Sequence, residues 1–274
     1  RMLNVLLYPT PNSMLFYDMI VLNGYLFLNI VVGWKVLEAE RNQVEPDWWV
    51  KPLVYLSIPF AIGIHTVTAY LYCGLPGRGF WLTAILAPRF LASAFAAGPA
   101  FLIILCYIIR KVTKFDPGWE AMQTLSKIVC YAIIANIFFF LCECFVVYYS
   151  GIPGHLAHTQ YLLFGYHGHN MMVPWMWSAF ILMGLGAIFL VIPKLRSNPT
   201  LLPFTCGMIF VGAWIDKALG MIAGGFVPSP LHHVTEYAPT GQEIIISLAV
   251  YATGFLVLTI LYKLATTVKE EVRG

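Results

Sequence analysis

Charge is what this sequence has least of. Lys, Arg, Asp and Glu together make up 11% of its 274 residues, against roughly 25% in soluble domains. That scarcity excludes a water-soluble globular chain, and no nucleic-acid partner is expected. Cysteine is sparse and scattered: residues 73, 106, 130, 142, 144 and 206 lie in apolar segments without a CxxC pair. This speaks against an iron–sulfur cluster or a zinc ion held by the chain, and it implies no disulfide. There is no phosphate-cradling glycine loop, no nucleophile elbow and no HExxH helix. A signal peptide and an initiator Met are also missing before Arg1, so further helices are expected upstream.

What fills the sequence instead is apolar: 59% hydrophobic and 15% aromatic residues. Seven apolar segments, near 14–34, 53–74, 89–110, 125–149, 171–193, 201–224 and 243–263, can each cross ~30 Å of hydrocarbon as a helix. Breaks such as ERNQVEPDWW, GLPGRG, KVTKFDPGWE, LRSNPT and FVPSPLHH separate them. The expected fold is an all-α integral membrane protein. It is a polytopic transmembrane helix bundle of at least seven helices, a single transmembrane domain over residues 1–274 in contact with lipid.

The basic residues orient it. Lys35, Arg41, Lys51, Arg110, Lys111, Lys114, Lys127, Lys194, Arg196, Lys263, Lys269 and Arg273 fall on one side, twelve in all, against Arg1, Arg78 and Arg89 on the other. The excess predicts a multi-pass protein of the cytoplasmic (inner) membrane, with its C-terminus in the cytoplasm. The loops 150–170 and 225–242 on the opposite face contain no Lys or Arg.

Ionisable groups inside spans are expensive, about 2.5–3.5 kcal/mol each, and mark function by default. Asp18, Tyr25 and Asn29 share a face of the first span; His65, Thr68 and Tyr72 form a stripe on the second; Arg89 opens the third. Glu143 stands in the outer third of the fourth span, above Asn136, and Asp216 lies in a seam with Gly212, Gly220 and Gly224 on the sixth. Lys217 points about 100° away from Asp216 and can snorkel outward. Asp18, His65, Arg89, Glu143 and Asp216 come from five helices, yet all fall in the middle or outer half. One buried polar site near the external face is therefore expected. Structural readings stand beside it: a helix-bridging His65, a headgroup-anchoring Arg89, or ion pairs of Asp216 with Arg89 and of Glu143 with Lys217. The external His155, His158, His167 and His169 have HxxH and HxH spacing but no nearby Cys or carboxylate, so no metal is expected there.

The stretches YPTPNSMLFYDMIVLNGYLFLN, SIPFAIGIHTVTAYLYCGLPGRGFW, TAILAPRFLASAFAAGPA, CECFVVYYSG and YAPTGQE resemble the NrfD, or polysulfide-reductase membrane-subunit, family. Within it they look most like the branch formed by P subunits of Dsr membrane complexes. The resemblance spans nearly the whole chain. It implies a bundle of eight to ten helices without haem or iron–sulfur centres of its own, binding menaquinone or another quinone towards the external, periplasmic side. Electrons would pass to or from a periplasmic ferredoxin-like iron–sulfur subunit, in sulfite or sulfate metabolism. The other partners would be membrane and cytoplasmic subunits of the complex, with a cytochrome b subunit and a c-type cytochrome as candidates.

By the same resemblance His65 matches the quinone-site histidine and Glu143 the carboxylate of its helix. Asp216 falls where relatives carry an acid after Trp. Arg89 departs from the pattern, because APRFLASA stands where many relatives have PPYFVAGA. The expected site therefore has His65, Asp18, Glu143 and Asp216 in proton exchange, and His65, Thr68, Tyr72, Tyr25 and Arg89 around a quinone. Histidine exchanges protons near neutral pH, and carboxylates in low dielectric can relay them. Two other classes use the same polar residues. A b-type cytochrome anchor would ligate haem through His65 and His167 or His169, and a transporter would use the cluster as a substrate site.

Overall fold

The structure, a computed structural model, describes residues 2–113 and 116–273. Arg1 and Lys114, which enter the charge count above, lie outside the described residues. Among these residues helices are α1 (Met2–Leu7), α2 (Met14–Arg41), α3 (Val50–Cys73), α4 (Leu86–Val112), α5 (Trp119–Ser150), α6 (Pro153–Leu163), α7 (Val173–Val191), α8 (Pro193–Arg196), α9 (Leu201–Ile215), α10 (Ile222–Phe226) and α11 (Gly241–Arg273). A 3₁₀ turn at Gly79–Trp81 and a π-helical segment at Asp216–Met221 complete the order. There is no strand among the described residues, only an isolated bridge between Tyr166 and His169. Seven helical stretches are long and apolar enough to cross a membrane, with α9, the π segment and α10 acting as one span, Leu201–Phe226.

Several helices outrun the apolar windows that announce them. A membrane window ends where side chains turn polar, but backbone hydrogen bonding does not. Thus α2 continues to Arg41, carrying a Lys35–Glu38 pair at 2.7 Å. The N-terminus of α11 is fixed by a capping box: Glu243 Oε2 accepts from the Thr240 N–H at 2.7 Å, and Thr240 Oγ1 accepts from the Glu243 N–H at 3.4 Å. Pro59 and Pro99 sit inside α3 and α4, as spanning helices tolerate.

The chain divides into two compact units, residues 1–67 with 237–274 and residues 68–236. In the first, α2 packs on α11, with an Arg41–Glu271 ion pair at 2.9 Å. The part of α3 up to Val67 meets α2 where Gly24 leaves room for Phe60 and Val21 lies against Gly63.

The second unit is a ring of four spans, α4 against α5, α5 against α7, α7 against α9 and α9 against α4. Its core is built of small and branched side chains: Ala96, Ala100 and Ile103 of α4, Val129 and Ile133 of α5, Ala179 and Leu190 of α7, Leu202 and Ile209 of α9. Small residues let helices approach where no water drives them together. Gly212 makes one such approach against backbone, since a Cβ there would sit 3.0 Å from the Ala179 carbonyl oxygen and 2.8 Å from Met183 Cγ. Backbone cannot yield as a flexible side chain can. Gly212→Val is expected to cost about 1–3 kcal/mol, read as a lowered unfolding midpoint in detergent. An unchanged midpoint would refute the close contact.

Candidate functional site

The second unit gathers three of the ionisable residues singled out above. Arg89 stands on the first turn of α4, Glu143 seven residues before the end of α5, and Asp216 at the start of the π segment. Arg89 Nη1 donates to Glu143 Oε2 at 2.7 Å, and Nη2 donates to Asp216 Oδ1 at 2.6 Å. The guanidinium also lies 4.9 Å from the centre of the Phe140 ring. Arg89 is 4%, Glu143 9% and Asp216 1% exposed. One planar fork thus clamps carboxylates from two other helices, which a lysine could not do with the same geometry.

The clamp leaves Arg89 Nε and Asp216 Oδ2 buried without a hydrogen-bond partner. Asp216 Oδ2 can therefore take a proton without breaking a bond already made. With both carboxylates ionised the three groups carry one negative charge in excess. Lys217 offsets it only while charged, and its Nζ rests 4.1 Å from the centre of the Phe90 ring rather than reaching outward. A change of one proton in this set leaves no isolated ion. Groups arranged so are suited to exchanging protons, and they also hold three helices in register.

The π segment begins at Asp216, and widening the helix there rotates the side chains that follow it. Such insertions recur at functional sites. Three side chains then complete the hydrogen bonding of the widened end. Trp81 Nε1 donates to the Met221 carbonyl at 2.9 Å, and Arg78 Nη1 donates to the Phe226 carbonyl at 3.1 Å. His158 Nδ1 contacts the carbonyls of Gly224 at 2.6 Å and Val227 at 3.3 Å. Carbonyls only accept, so the His158 proton is on Nδ1. Burial pulls its pKa below the ordinary value, which keeps the ring neutral. Gly225 has no room for a Cβ, which would enter the Trp81 ring.

Two spaces adjoin the clamp. One of about 20 Å³ is lined by Arg89, Glu143, Asp216, Phe80, Phe140 and Thr159, among others, room for about one water. A second of about 70 Å³ is lined by Glu143, Phe80, Leu82, Thr83, Val146, Val147 and His155.

The remaining residues named from the sequence are placed elsewhere. Asp18 and Tyr25 lie on α2 and His65 on the part of α3 in the first unit, all three half-buried. Thr68 and Tyr72 lie on the last turns of α3, in the second unit, where the Tyr72 ring packs 4.8 Å from Trp81. Asn29 Nδ2 donates to the Tyr25 carbonyl at 2.8 Å, within its own helix. Asn136 is buried and points Nδ2 at Met183 Sδ, 3.8 Å away.

The histidine-rich loop is held by several contacts, and no three metal-type side chains converge among the described residues. His169 Nδ1 lies 3.3 Å from Glu236 Oε2, and Glu236 Oε1 accepts from the Met171 N–H at 3.0 Å. That N–H, with His169 second, holds the Glu236 carboxyl below the ordinary carboxylate range. Its folded-state pKa is depressed, so its stabilisation is present above the unfolded value and lost as pH falls through the folded one. Protection of the Met171 amide against hydrogen exchange is expected to drop below about pH 4. Glu236→Gln should remove that pH dependence. A pH-independent wild type would contradict it.

Sequence reasoning reached Arg89, Glu143 and Asp216 but missed Phe140, the π segment and the Trp81, Arg78 and His158 caps. A cap on a distant carbonyl leaves no local pattern. The run of four glycines between 212 and 225 was the signal available for the irregular helix.

The family model "Polysulphide reductase, NrfD" matches residues 1–228. A Halobacterium salinarum protein, provisionally named as a membrane subunit of dimethyl sulfoxide reductase, is 23% identical over 74% of this chain and 50% of its own. The integral membrane subunit of the Nitratidesulfovibrio vulgaris menaquinone reductase is 25% identical over 71% of this chain and 46% of its own. A subunit of the Mesobacillus selenatarsenatis selenate reductase is 25% identical over 50% of this chain and 32% of its own. The chain thus spans about half the length, or less, of the curated relatives it matches. With the family model covering most of the chain and seven apolar helices to cross a bilayer, this multi-pass integral membrane protein belongs to the polysulphide reductase NrfD family.

Proposed function

We propose that the chain is the quinone-interacting membrane subunit of a multi-subunit reductase complex, acting on menaquinone or a related quinone. The observation that carries this reading is the buried Arg89–Glu143–Asp216 clamp, with an unpartnered Asp216 oxygen, in a chain of this family. Interconverting a quinone and its quinol moves two electrons and two protons, and the chemistry of this donor set fits the proton half. The space of about 20 Å³ beside the clamp takes a water and not a bicyclic ring. Arg89 is committed to its two carboxylates, so its role is charge balance rather than a quinone contact.

Quinone contact is assigned to His65, with Tyr25 as a further polar side chain of the same unit, and Asp18 to proton exchange on α2. Bound quinone would supply the two-electron chemistry. Glu143 and Asp216 would hold and pass protons at their carboxylate oxygens, while Phe80, Phe140 and Leu162 keep bulk water out. The electrons would be exchanged with an iron–sulfur subunit, together with other subunits of the complex. The charge bias of the loops supports placing the clamp towards the external side of a cytoplasmic membrane. Sulfur-compound metabolism remains the proposed setting.

The test is binding. A naphthoquinone analogue titrated into the purified complex should quench tryptophan fluorescence saturably, and Glu143→Gln should keep that binding while lowering quinol-dependent turnover about 10²–10⁴-fold. Absence of saturable binding by the wild-type complex would sink the proposal.

A further inference from the structure

Glu143 is the residue common to both spaces described above that can carry a proton, and Phe80 is the apolar residue common to both. On the inner side of Glu143 lie Arg89 and Asp216. On its outer side the space of about 70 Å³ has room for about two waters and reaches His155, which is half-buried on the first turns of α6. Thr83, also in that wall, adds a hydroxyl that can hydrogen-bond such a water. Leu82, Val146 and Val147 close the rest of this space.

From this juxtaposition we infer that His155 is the proton relay between Glu143 and the aqueous phase at the end of the bundle poor in basic residues. The step is a transfer from the Glu143 carboxyl, through water in the outer space, to an imidazole nitrogen of His155. It leaves a carboxylate facing Arg89 and an imidazolium facing water, and His155 then releases the proton to solvent. The reverse sequence delivers a proton inward. An imidazole suits the post because its two ring nitrogens can take up a proton on one side and release it on the other.

His158, three residues on, cannot serve, because its Nδ1 proton is spent on the Gly224 carbonyl and the residue is buried. The titratable groups near His155 are Glu143 of α5, which lines the same space, and His158 on α6 itself. The elements α7 and α10, which also pack on α6, carry none. Of these only Glu143 shares the outer space with His155.

The inference rests on the proposed quinone chemistry for its use, and not for the route. In the complex, His155→Gln should leave the KM for a soluble quinol unchanged and lower kcat about tenfold or more above pH 7. The shape of the pH profile should change, and added imidazole should restore turnover in His155→Ala. Wild-type kcat and pH profile in both variants would overturn the relay while leaving the proposed function standing.

If the wild type shows no quinol turnover, the proposed function fails and the relay is decided by infrared spectroscopy. Deuterium exchange of the protonated Glu143 carboxyl, its band identified by loss in Glu143→Gln, should be at least tenfold slower in His155→Gln. Equal exchange rates, or a Glu143 band that never exchanges, would overturn it.

Discussion

Arg89→Leu is expected to be lost from the folded membrane fraction, whereas the triple variant Arg89→Leu, Glu143→Gln, Asp216→Asn returns to it without regaining activity. The single change strands two carboxylates that are 9% and 1% exposed. Breaking a buried pair from one side costs roughly 3–5 kcal/mol, a large share of the 5–15 kcal/mol by which folded proteins are typically stable. Replacing all partners by neutral groups of similar shape removes the unpaired charge, and such replacements are often neutral. Protonation offers the stranded carboxylates an escape, so the single variant should recover partly at acid pH. Unfolding midpoints in detergent across pH provide the measurement. A single variant as stable as the wild type at pH 8 would mean that the clamp is not the electrostatic keystone of the four spans. A triple variant with full turnover would mean that its charges are not used in the chemistry.

The second large effect belongs to His65. His65→Ala should abolish quinol-coupled electron transfer while the complex still assembles, a loss of about 10²–10⁴-fold if the imidazole exchanges the proton at the head group. His65 is half-buried on α3. Assembly is read from co-purification of the complex, and binding from quenching by the quinone analogue. Turnover at the wild-type rate in His65→Ala would end the assignment. Loss of assembly would show a helix-bridging role instead.

The two predictions rest on different kinds of knowledge. His65 was legible from the sequence because an imidazole in an apolar helical run is anomalous by itself. The seven spans were legible for the same reason: hydropathy over about 20 residues is a local quantity, and the helices appear where the windows lie. Some end later, at Arg41 for α2 and Arg273 for α11, because hydrogen bonding outlasts hydropathy. Arg89 shows the opposite case. At the start of a span it reads as a headgroup anchor, and only its partners, 54 and 127 residues away, make it a buried clamp.

The sequence by itself determined that this is an all-α membrane chain, which polar residues its spans carry, and which family its motifs resemble. Those properties depend on composition and on neighbours within a few turns. The tertiary structure alone decided that Arg89 takes both carboxylates, that Lys217 lies over Phe90, and that His158 caps a helix while His155 opens onto Glu143. Each of these depends on which faces of α4, α5, α6 and the π-interrupted span meet. A side chain's hydropathy does not say which buried partner it will find. That is settled by helix rotation and packing, to which the glycines at 212, 220, 224 and 225 contribute by setting how closely the chain can approach.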